Sequence, residues 1–525
     1  MVQIVKGLYK TYLKKIRGLS LPRDLIDYAV KINYNKVVVS NEGEKMTYGE
    51  IYKNSLKLVN SFLKIGIKKG DKVGVMIYNC KEYFEIKIAS YMLGIVLVPI
   101  MSDLNTEDIV FILKNSNVKV FVYDSDILRT KIKRIKKETF VEKFVFVTKL
   151  KKKDSYDSFL SKGEIKKINV KLNSEDLSMI GFSSGTTGKA KGICFDQKIW
   201  VNSFYNYFMS PSKMKMDKLR VLHILPLGAA GGTAFLPFFF LGTENYFLEK
   251  FDASEAVSKI VKNDIGIIFV SPSYLMEIID YCNLESISLN LRRVIVGTEP
   301  ISKEKFKQAI DFFGPVVVQG YGMAEVLPPL SLLSAEDYIV NGRLQEDKLL
   351  SVGRCLKGVK VKILNEKNKE VVFGKLGRII LKSSTISKGY WNNYDLTRNY
   401  YRRDWFFSDD FGYLDKEGYI YVYGRKEDIL KKNGGEVIFK RPIEEVVHQY
   451  PGVLEVYLFC DSSKEIICYV SLKNGFSIKN EELINFCNKR LEKDFLPKKF
   501  VIGKIPKRIN GKIDRVKIER RYFSK

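Results

Sequence analysis

Residues 183–192, Ser-Ser-Gly-Thr-Thr-Gly-Lys-Ala-Lys-Gly, bring four hydroxyls, three glycines and two lysines into ten positions. Glycines let successive N–H groups turn toward one point. Hydroxyl and ammonium groups add donors, so the stretch suits the oxygens of a polyphosphate. A solvated turn would use the same residue types. A Walker loop is excluded, because Ser183 stands where a glycine is required and Lys189 is followed by Ala190 rather than a hydroxyl. Further polar clusters occur at Gly297-Thr298-Glu299, Gln319 to Glu325, Asp409-Asp410, Gly424-Arg425 and Gly511-Lys512.

The elements that must position these residues alternate in type. Leu177 to Phe182 and Ile193-Cys194-Phe195 predict strand, loop, strand around the first cluster. Thr47 is a plausible N-cap for a helix with apolar positions from Ile51 to Leu63. Strand 71–77, helix 82–93, strand 95–99, helix 106–114 and strand 118–122 follow. Strands at 221–226, 265–270, 294–296 and 316–318 continue the pattern, which argues an α/β fold with largely parallel sheets. Gly228 to Gly232 is a small-residue turn before the very apolar Phe235 to Phe240. After Leu349, short runs at 360–363, 377–381 and 419–423 predict a β-rich, antiparallel part. Beyond 424 an α+β pattern of about a hundred residues predicts a separate small domain. The expected division is 1–424 and 425–525.

A chain of 525 residues, 46% hydrophobic and 28% charged, has core material for two or more globular units. The longest apolar run, Ile88 to Met101, is too short to span a bilayer and is interrupted by Pro99. Met1 to Arg17 lacks an apolar core, so no secretory signal is expected. Seven scattered cysteines without a C-x-x-C pair, and only two histidines, argue against a zinc site and for a reducing, cytoplasmic location. The net charge of +28 comes from lysines spread along the chain among glutamates. That favours a solvated basic surface over a nucleic-acid partner. The cluster Lys131 to Lys153 reads as a solvated helix and linker, and 131–171 as peripheral. Leu8, Tyr12, Leu13 and Ile16 share a helical face, which leaves peripheral membrane contact open.

Five segments, in this order, resemble the adenylate-forming superfamily of AMP-binding enzymes, which includes acyl-CoA synthetases and coumarate-CoA ligases. They are SSGTTGKAKG at 183–192, VGTEP at 296–300, QGYGMAE at 319–325, WFFSDDFGYLDKEGYIYVYGRKEDILKKNGGE at 405–436 and PKRINGKIDR at 506–515. The resemblance implies that a carboxylic acid attacks the α-phosphate of ATP, giving an acyl-adenylate and pyrophosphate, and that the thiol of CoA then displaces AMP. It implies that Ser184, Gly185, Thr186, Thr187, Gly188 and Lys191 hold the β and γ phosphates. Tyr321 would stack on adenine between Gly320 and Gly322, with Gly297, Thr298 and Glu299 beside it. Glu325 would hold Mg²⁺, though by itself it reads as a carboxylate at a helix start. Asp410, rather than Asp409, would take the ribose hydroxyls with help from Arg425. Lys512 would reach the α-phosphate from the small domain. Glu427 would be the hinge, and Lys431, Gly434, Gly435 and Glu436 would face the site for thioester formation.

The sequence also departs from that pattern. Ala190 replaces a usual proline. Ala324 replaces a threonine or serine that would donate to the α-phosphate. A histidine common beside the acyl pocket gives way to small residues, so Gly228, Ala229 and Gly231 are expected to leave a wide pocket with Phe235 as a wall. No acidic residue lies between Val221 and Phe240, which favours a fatty or aryl acid over an amino acid. Two alternatives stand beside a CoA ligase. One is a stand-alone adenylation ligase that loads the phosphopantetheine of a separate acyl carrier protein. The other is a non-catalytic nucleotide-binding homologue.

Overall fold

The computed structural model describes residues 18–523 apart from 42, 149–153, 184–189, 210–218, 432–436 and 474. The expected donors Ser184 to Gly188, the loop residues Gly434 to Glu436 and the amphipathic face at 8–16 lie outside the described residues.

Two large sheets carry the chain as far as Cys355. A nine-stranded sheet runs, edge to edge, Arg354–Cys355, Val326–Leu333, Val317–Met323, Arg293–Val296, Ile267–Val270, Arg220–His223, Glu244–Phe247, Val37–Asn41 and Glu44–Thr47. Its centre is parallel and its margins are antiparallel. A six-stranded sheet runs Lys143–Val147, Val118–Asp124, Lys72–Met76, Val96–Pro99, Leu177–Ser183 and Lys191–Asp196. The last two strands pair antiparallel and flank the phosphate-loop stretch, as the sequence pattern predicts. The helix Lys81–Leu93 is buried on all sides, and its residues share one core with strands of both sheets. That accounts for a helix with apolar residues around its whole circumference. Thr47 caps the helix Tyr48–Lys64 through a reciprocal capping box with Glu50.

The antiparallel part is a five-stranded sheet built on Gly377–Lys382, Trp405–Leu414 and Ile420–Arg425. After the turn Lys426–Asp428 come a two-stranded ribbon and a three-stranded sheet, Val453–Cys460, Ile466–Leu472 and Lys499–Ile502. These pack with the helices Lys440–His448 and Asn480–Asn488 around a core of their own.

Two expectations are corrected. The lysine-rich segment is not only helix and linker: Lys143–Val147 is the edge strand of the six-stranded sheet, an apolar run Phe144 to Val147 within the lysines, with Val145 buried. The small residues before Phe235 form a 3₁₀ turn, Ala230–Ala234, that leads into the helix Phe235–Phe240. Among the described residues no helix is long and apolar enough to cross a membrane.

The small C-terminal unit is docked on the large one. Lys305 and Glu455 form an almost fully buried ion pair across the boundary at 2.9 Å. Lys507 pairs with Glu277 at 2.5 Å and lies 3.6 Å from Glu455. Tyr274, stacked on Phe251, donates from its hydroxyl to the carbonyls of Arg508 and Ile509. Gly511 has φ +80°, and a Cβ there would fall 2.1 Å from Ser271 Oγ, so a side chain would push the tail off this seat. Burial alone would raise the Glu455 carboxyl, but Lys305 and Lys507 overrule it and hold it near 2. A depressed carboxyl stabilises above its ordinary value of 4.5, and the contribution is lost as pH falls toward 2. Glu455→Gln should therefore destabilise the protein by ~3–5 kcal/mol near neutrality, because it leaves the buried Lys305 ammonium without its carboxylate and Lys507 with Glu277 alone. In urea unfolding, that gap to the wild type should close as pH is lowered through this window.

Candidate active site

The ligand-bearing loops meet at one cavity of about 1760 Å³, at the C-terminal ends of the parallel strands and beneath the docked small unit. The strand Arg293–Val296 delivers Gly297, Thr298 and Glu299 to it. Thr298 takes a left-handed φ of +79°, and its Oγ1 is buried with no hydrogen-bond partner. Gln319 Oε1 is buried and likewise unpartnered. Strained backbone and orphaned polar atoms of this kind are what a bound polar ligand would satisfy.

The strand Val317–Met323 carries Gly320, Tyr321 and Gly322 and runs on into a tight hairpin with Val326–Leu333. Ala324 and Glu325 are the turn of that hairpin. Glu325 is therefore not a helix-start carboxylate, because no helix begins there. Its backbone carbonyl accepts from the Ser387 N–H, and its Oε1 accepts from the Tyr390 hydroxyl at 2.9 Å. Burial raises the Glu325 carboxyl above its ordinary range, and the Tyr390 hydrogen bond opposes that. A cation beside it would restore the charged form. Ala324 presents its methyl to the cavity.

Asp410 sits on Trp405–Leu414, 3% exposed, directly across from Arg425 in the antiparallel register. Its Oδ1 takes the Arg425 Nε–H at 2.9 Å and its Oδ2 takes the Tyr321 hydroxyl at 2.6 Å. Each carboxylate oxygen keeps a further lone pair for a ligand hydroxyl. Asp409, one residue away, instead accepts from Tyr400 at 2.7 Å and lies 3.6 Å from Arg378. Tyr321 thus lines the cavity with its ring while its hydroxyl is anchored; burial and then Asp410 hold that hydroxyl firmly protonated.

Lys512 enters the cavity from the docked small unit. Its backbone is set by Asn510 and Arg508. Surrounded by protein yet reachable from the cavity interior, its ammonium is pulled below the usual lysine range by burial and by Arg425, with Glu299 opposing. No ion pair to Lys512 exists among the described residues. Glu299 is raised by burial and by Glu455, opposed by Lys512, and accepts from Ser273 at 3.2 Å. An anion is the missing partner of this arrangement. Lys191 also lines the cavity, 5.8 Å above the Tyr400 ring. Glu427 lies on the rim, 3.7 Å from Arg515, whereas Lys431 is exposed and away from the cavity. Burial holds both histidines neutral, with His223 lowered to about 4 and His448 to about 3.

The expected acyl pocket is redrawn. Gly228 and Ala229 line the cavity, but Phe235 turns into the core against Phe84 and Phe239. Phe238, one helical turn on, faces the cavity instead. Gly231 and Gly232 do not widen the space. A Cβ on them would strike the carbonyls of Leu225 and Leu227 at 2.5 and 2.0 Å, so they permit the chain to fold back on itself. Asn79 pins that turn by accepting from the Leu227 N–H and donating to the carbonyls of His223 and Leu225. Sequence reasoning missed Asn79, Tyr390 and Tyr400. No motif marks them: Asn79 and Tyr390 act through partners 148 and 65 residues distant in sequence, and Tyr400 through Asp409, across the short strand pair.

The AMP-binding enzyme family model matches residues 26–391, and that of the AMP-binding enzyme C-terminal domain matches residues 442–512. A 2-succinylbenzoate–CoA ligase of Bacillus cereus (strain Q1) is 27% identical over 476 residues, covering 89% of this chain and 91% of that protein. Among solved structures, the anthranilate CoA ligase AuaEII in complex with anthranoyl-AMP superposes with a TM-score of 0.86 at 20% identity, covering 95% of this chain and 97% of that one. The o-succinylbenzoate coenzyme A synthetase from Bacillus subtilis in complex with AMP gives 0.79 at 22% identity, covering 94% and 98%.

The Asp410 contacts yield a direct test. Tyr321→Phe keeps the ring but removes a hydrogen bond to a carboxylate, and should lower stability by ~1.5–3 kcal/mol in urea unfolding. Asp410→Ala should cost more, because it removes the Arg425 pair as well and leaves the buried Tyr321 hydroxyl without its acceptor.

Proposed function

This chain belongs to the AMP-binding enzyme family, and we propose that it activates a carboxylic acid with ATP and passes the acyl group to the thiol of CoA. The observation that carries the reading is Lys512. A half-buried ammonium with no ion pair among the described residues is held by the small unit against a cavity that also presents Glu325, Asp410 and an anchored tyrosine ring.

In this reading a carboxylate oxygen of the acid attacks the α-phosphorus, and the bond to the pyrophosphate oxygen breaks. Lys512 neutralises charge on the attacked phosphate and orients the acid's carboxylate. Tyr321 packs on adenine, with Gly320 and Gly322 allowing close approach, and Gly297, Thr298 and Glu299 border the base. Asp410 and Arg425 hold the ribose. Ser184, Thr186, Thr187 and Lys191 bind the departing pyrophosphate. Glu325, a single carboxylate at the phosphate end, fits the usual mode of holding Mg²⁺ by one or two carboxylates and phosphate oxygens. The ion would screen charge on the β and γ phosphates. The CoA sulfur then attacks the acyl carbon and AMP leaves. For that step the unit from about residue 425 onward turns about Glu427 and brings the Lys431 to Glu436 loop to the site. The named relatives act on aryl acids, and an aryl acid is the favoured substrate class here.

Pyrophosphate release from ATP should depend on an added acid, and CoA should convert the adenylate to a thioester. Adenylate that transfers only to a carrier protein would overturn the CoA assignment. Lys512→Ala should slow adenylation ~10²–10³-fold while thioester formation from supplied acyl-adenylate persists; equal loss of both steps would remove Lys512 from its role. Ala324→Thr returns a donor to the cavity wall beside Glu325. A charge-assisted hydrogen bond of ~1.5–3 kcal/mol corresponds to a tenfold or greater rise in the adenylation rate, measurable in single-turnover experiments.

A further inference from the structure

Three tight turns meet at one end of the antiparallel sheet, and none of their residues lines the cavity. The first, residues 365–369, follows the strand Lys360–Leu364 and is closed by the Asn365 and Asn368 N–H groups, which donate to the carbonyls of Lys369 and Asn365. The second, Val372 to Lys375, is closed by the Lys375 N–H on the Val372 carbonyl and leads into Gly377–Lys382. The third, Asp415 to Gly418, joins Trp405–Leu414 to Ile420–Arg425. The Val371 N–H donates to the Ile363 carbonyl at 3.0 Å and the Gly374 N–H to the Leu414 carbonyl at 2.8 Å, so the second turn is tied to its neighbours on both sides.

Surface turns are normally built from polar residues and glycine. Gly374 obeys that rule, with φ +80° at the third position, where a left-handed residue suits the turn. Its neighbours do not. Val372 is 73% exposed, Phe373 61% and Leu376 42%. Single exposed apolar side chains are ordinary, but three within five residues on a tied turn form a patch. Cations stand around it. Lys367 and Lys369 lie on the first turn, Lys375 on the second and Lys416 on the third, all exposed and without an ion-pair partner among the described residues. The acids of these turns are mostly occupied: Glu370 pairs with Lys362 at 2.6 Å, and Asp415 and Glu417 share Lys348 at 3.0 Å. Of them only Glu366 is left to oppose the lysines.

That charge decides what can cover the patch. A second copy placed symmetrically would set the lysines of each turn against their own counterparts. A nucleic acid would satisfy the lysines but leave Val372 and Leu376 with no apolar partner and no ring to stack on a base. An anionic bilayer offers phosphates at its surface and hydrocarbon beneath them. We propose that this end of the antiparallel sheet docks reversibly on an anionic lipid bilayer. Val372, Phe373 and Leu376 enter the boundary between headgroups and acyl chains, and Lys367, Lys369, Lys375 and Lys416 meet the lipid phosphates. Either signal alone gives marginal attachment, and the turn supplies both. The net charge of +28 adds a longer-range attraction to such a surface.

The test is co-sedimentation of the full chain with vesicles of phosphatidylcholine, either alone or with about 30% phosphatidylserine. Binding should require phosphatidylserine and should fall ~10-fold or more when salt is raised to about 0.5 M. Val372→Ser combined with Phe373→Ser should lower the partition coefficient ~10-fold or more. Lys367→Ala, Lys369→Ala and Lys375→Ala together should lower it by a similar factor. The changed side chains are exposed, so both variants should keep the wild-type melting temperature. A Phe373→Trp variant reads insertion directly: relative to wild type, its added emission should shift to the blue on vesicle addition and be quenched by brominated acyl chains. Attachment through another basic surface, such as residues 131–137, would leave that emission unmoved. No binding to phosphatidylserine vesicles, binding equal to wild type in both variants, or an unmoved Phe373→Trp emission would each overturn the inference. A concentration-dependent dimer that Phe373→Ser abolishes, without vesicle binding, would overturn it and assign the patch to a second copy. None of these outcomes depends on acid activation, because no catalytic step is measured.

Discussion

One buried carboxylate holds three parts of the molecule in register. Asp410 sits on the central strand of the antiparallel sheet, takes a hydroxyl from the nine-stranded sheet through Tyr321, and takes a guanidinium from Arg425, the last residue before the turn into the small unit. A carboxylate this buried would be costly alone, by several kcal/mol. With two donors, one charged, it is compensated only while all three elements keep their positions. The same group that would receive a ribose therefore also fixes the ring expected under the base and the strand end from which the small unit departs.

The second constraint is a pair of cations at the cavity with no ion-pair partner among the described residues. Lys512 is depressed by burial and by Arg425, and Arg293 by burial. Nearby acids do not balance them: Glu299 and Glu325 are themselves pushed toward the neutral form. Such a site is preorganised for anions, because the desolvation of its cations has already been met by the fold. Phosphates, a substrate carboxylate and a metal-bound polyphosphate would each return a neighbour to its ordinary ionisation.

Local pattern made much of the scaffold readable. The hydroxyl-and-glycine stretch lies between Leu177–Ser183 and Lys191–Asp196, as its apolar flanks predict, and Thr47 caps its helix because the capping box is a four-residue signal. The five segments of the resemblance place most expected site residues on strand ends around one cavity. What escaped depends on parity and distance. Glu325 reads as a helix start because an acidic residue after a glycine-rich stretch fits that role; the hairpin appears only when Val326–Leu333 pairs back on Val317–Met323. Phe235 and Phe238 are indistinguishable in composition, and which one faces the cavity is set by where the helix Phe235–Phe240 rests on Phe84. Arg293 is hidden in the same way. Beside Arg292 it looks like one of a pair of strand-end charges, and only the burial of Val294 and Val296 assigns it to the inner face.

Docking of the small unit couples these features. The contacts that seat it are mostly polar: Lys305 with Glu455, Lys507 with Glu277, and Tyr274 with two backbone carbonyls. A polar interface is compatible with reversible separation, since each group can exchange its partner for water. One part of it resists that exchange, because Glu455 is buried between two lysines and its charge can leave only when the whole interface opens. Opening is thereby concentrated into a single cooperative event rather than a gradual loosening. The same event withdraws Lys512 from the cavity, since Gly511 seats that loop against Ser271 on the large unit. The Lys512 ammonium is therefore in the cavity when the units are docked and withdrawn when they part, which is the coupling that the proposed separation of acid activation from acyl transfer requires.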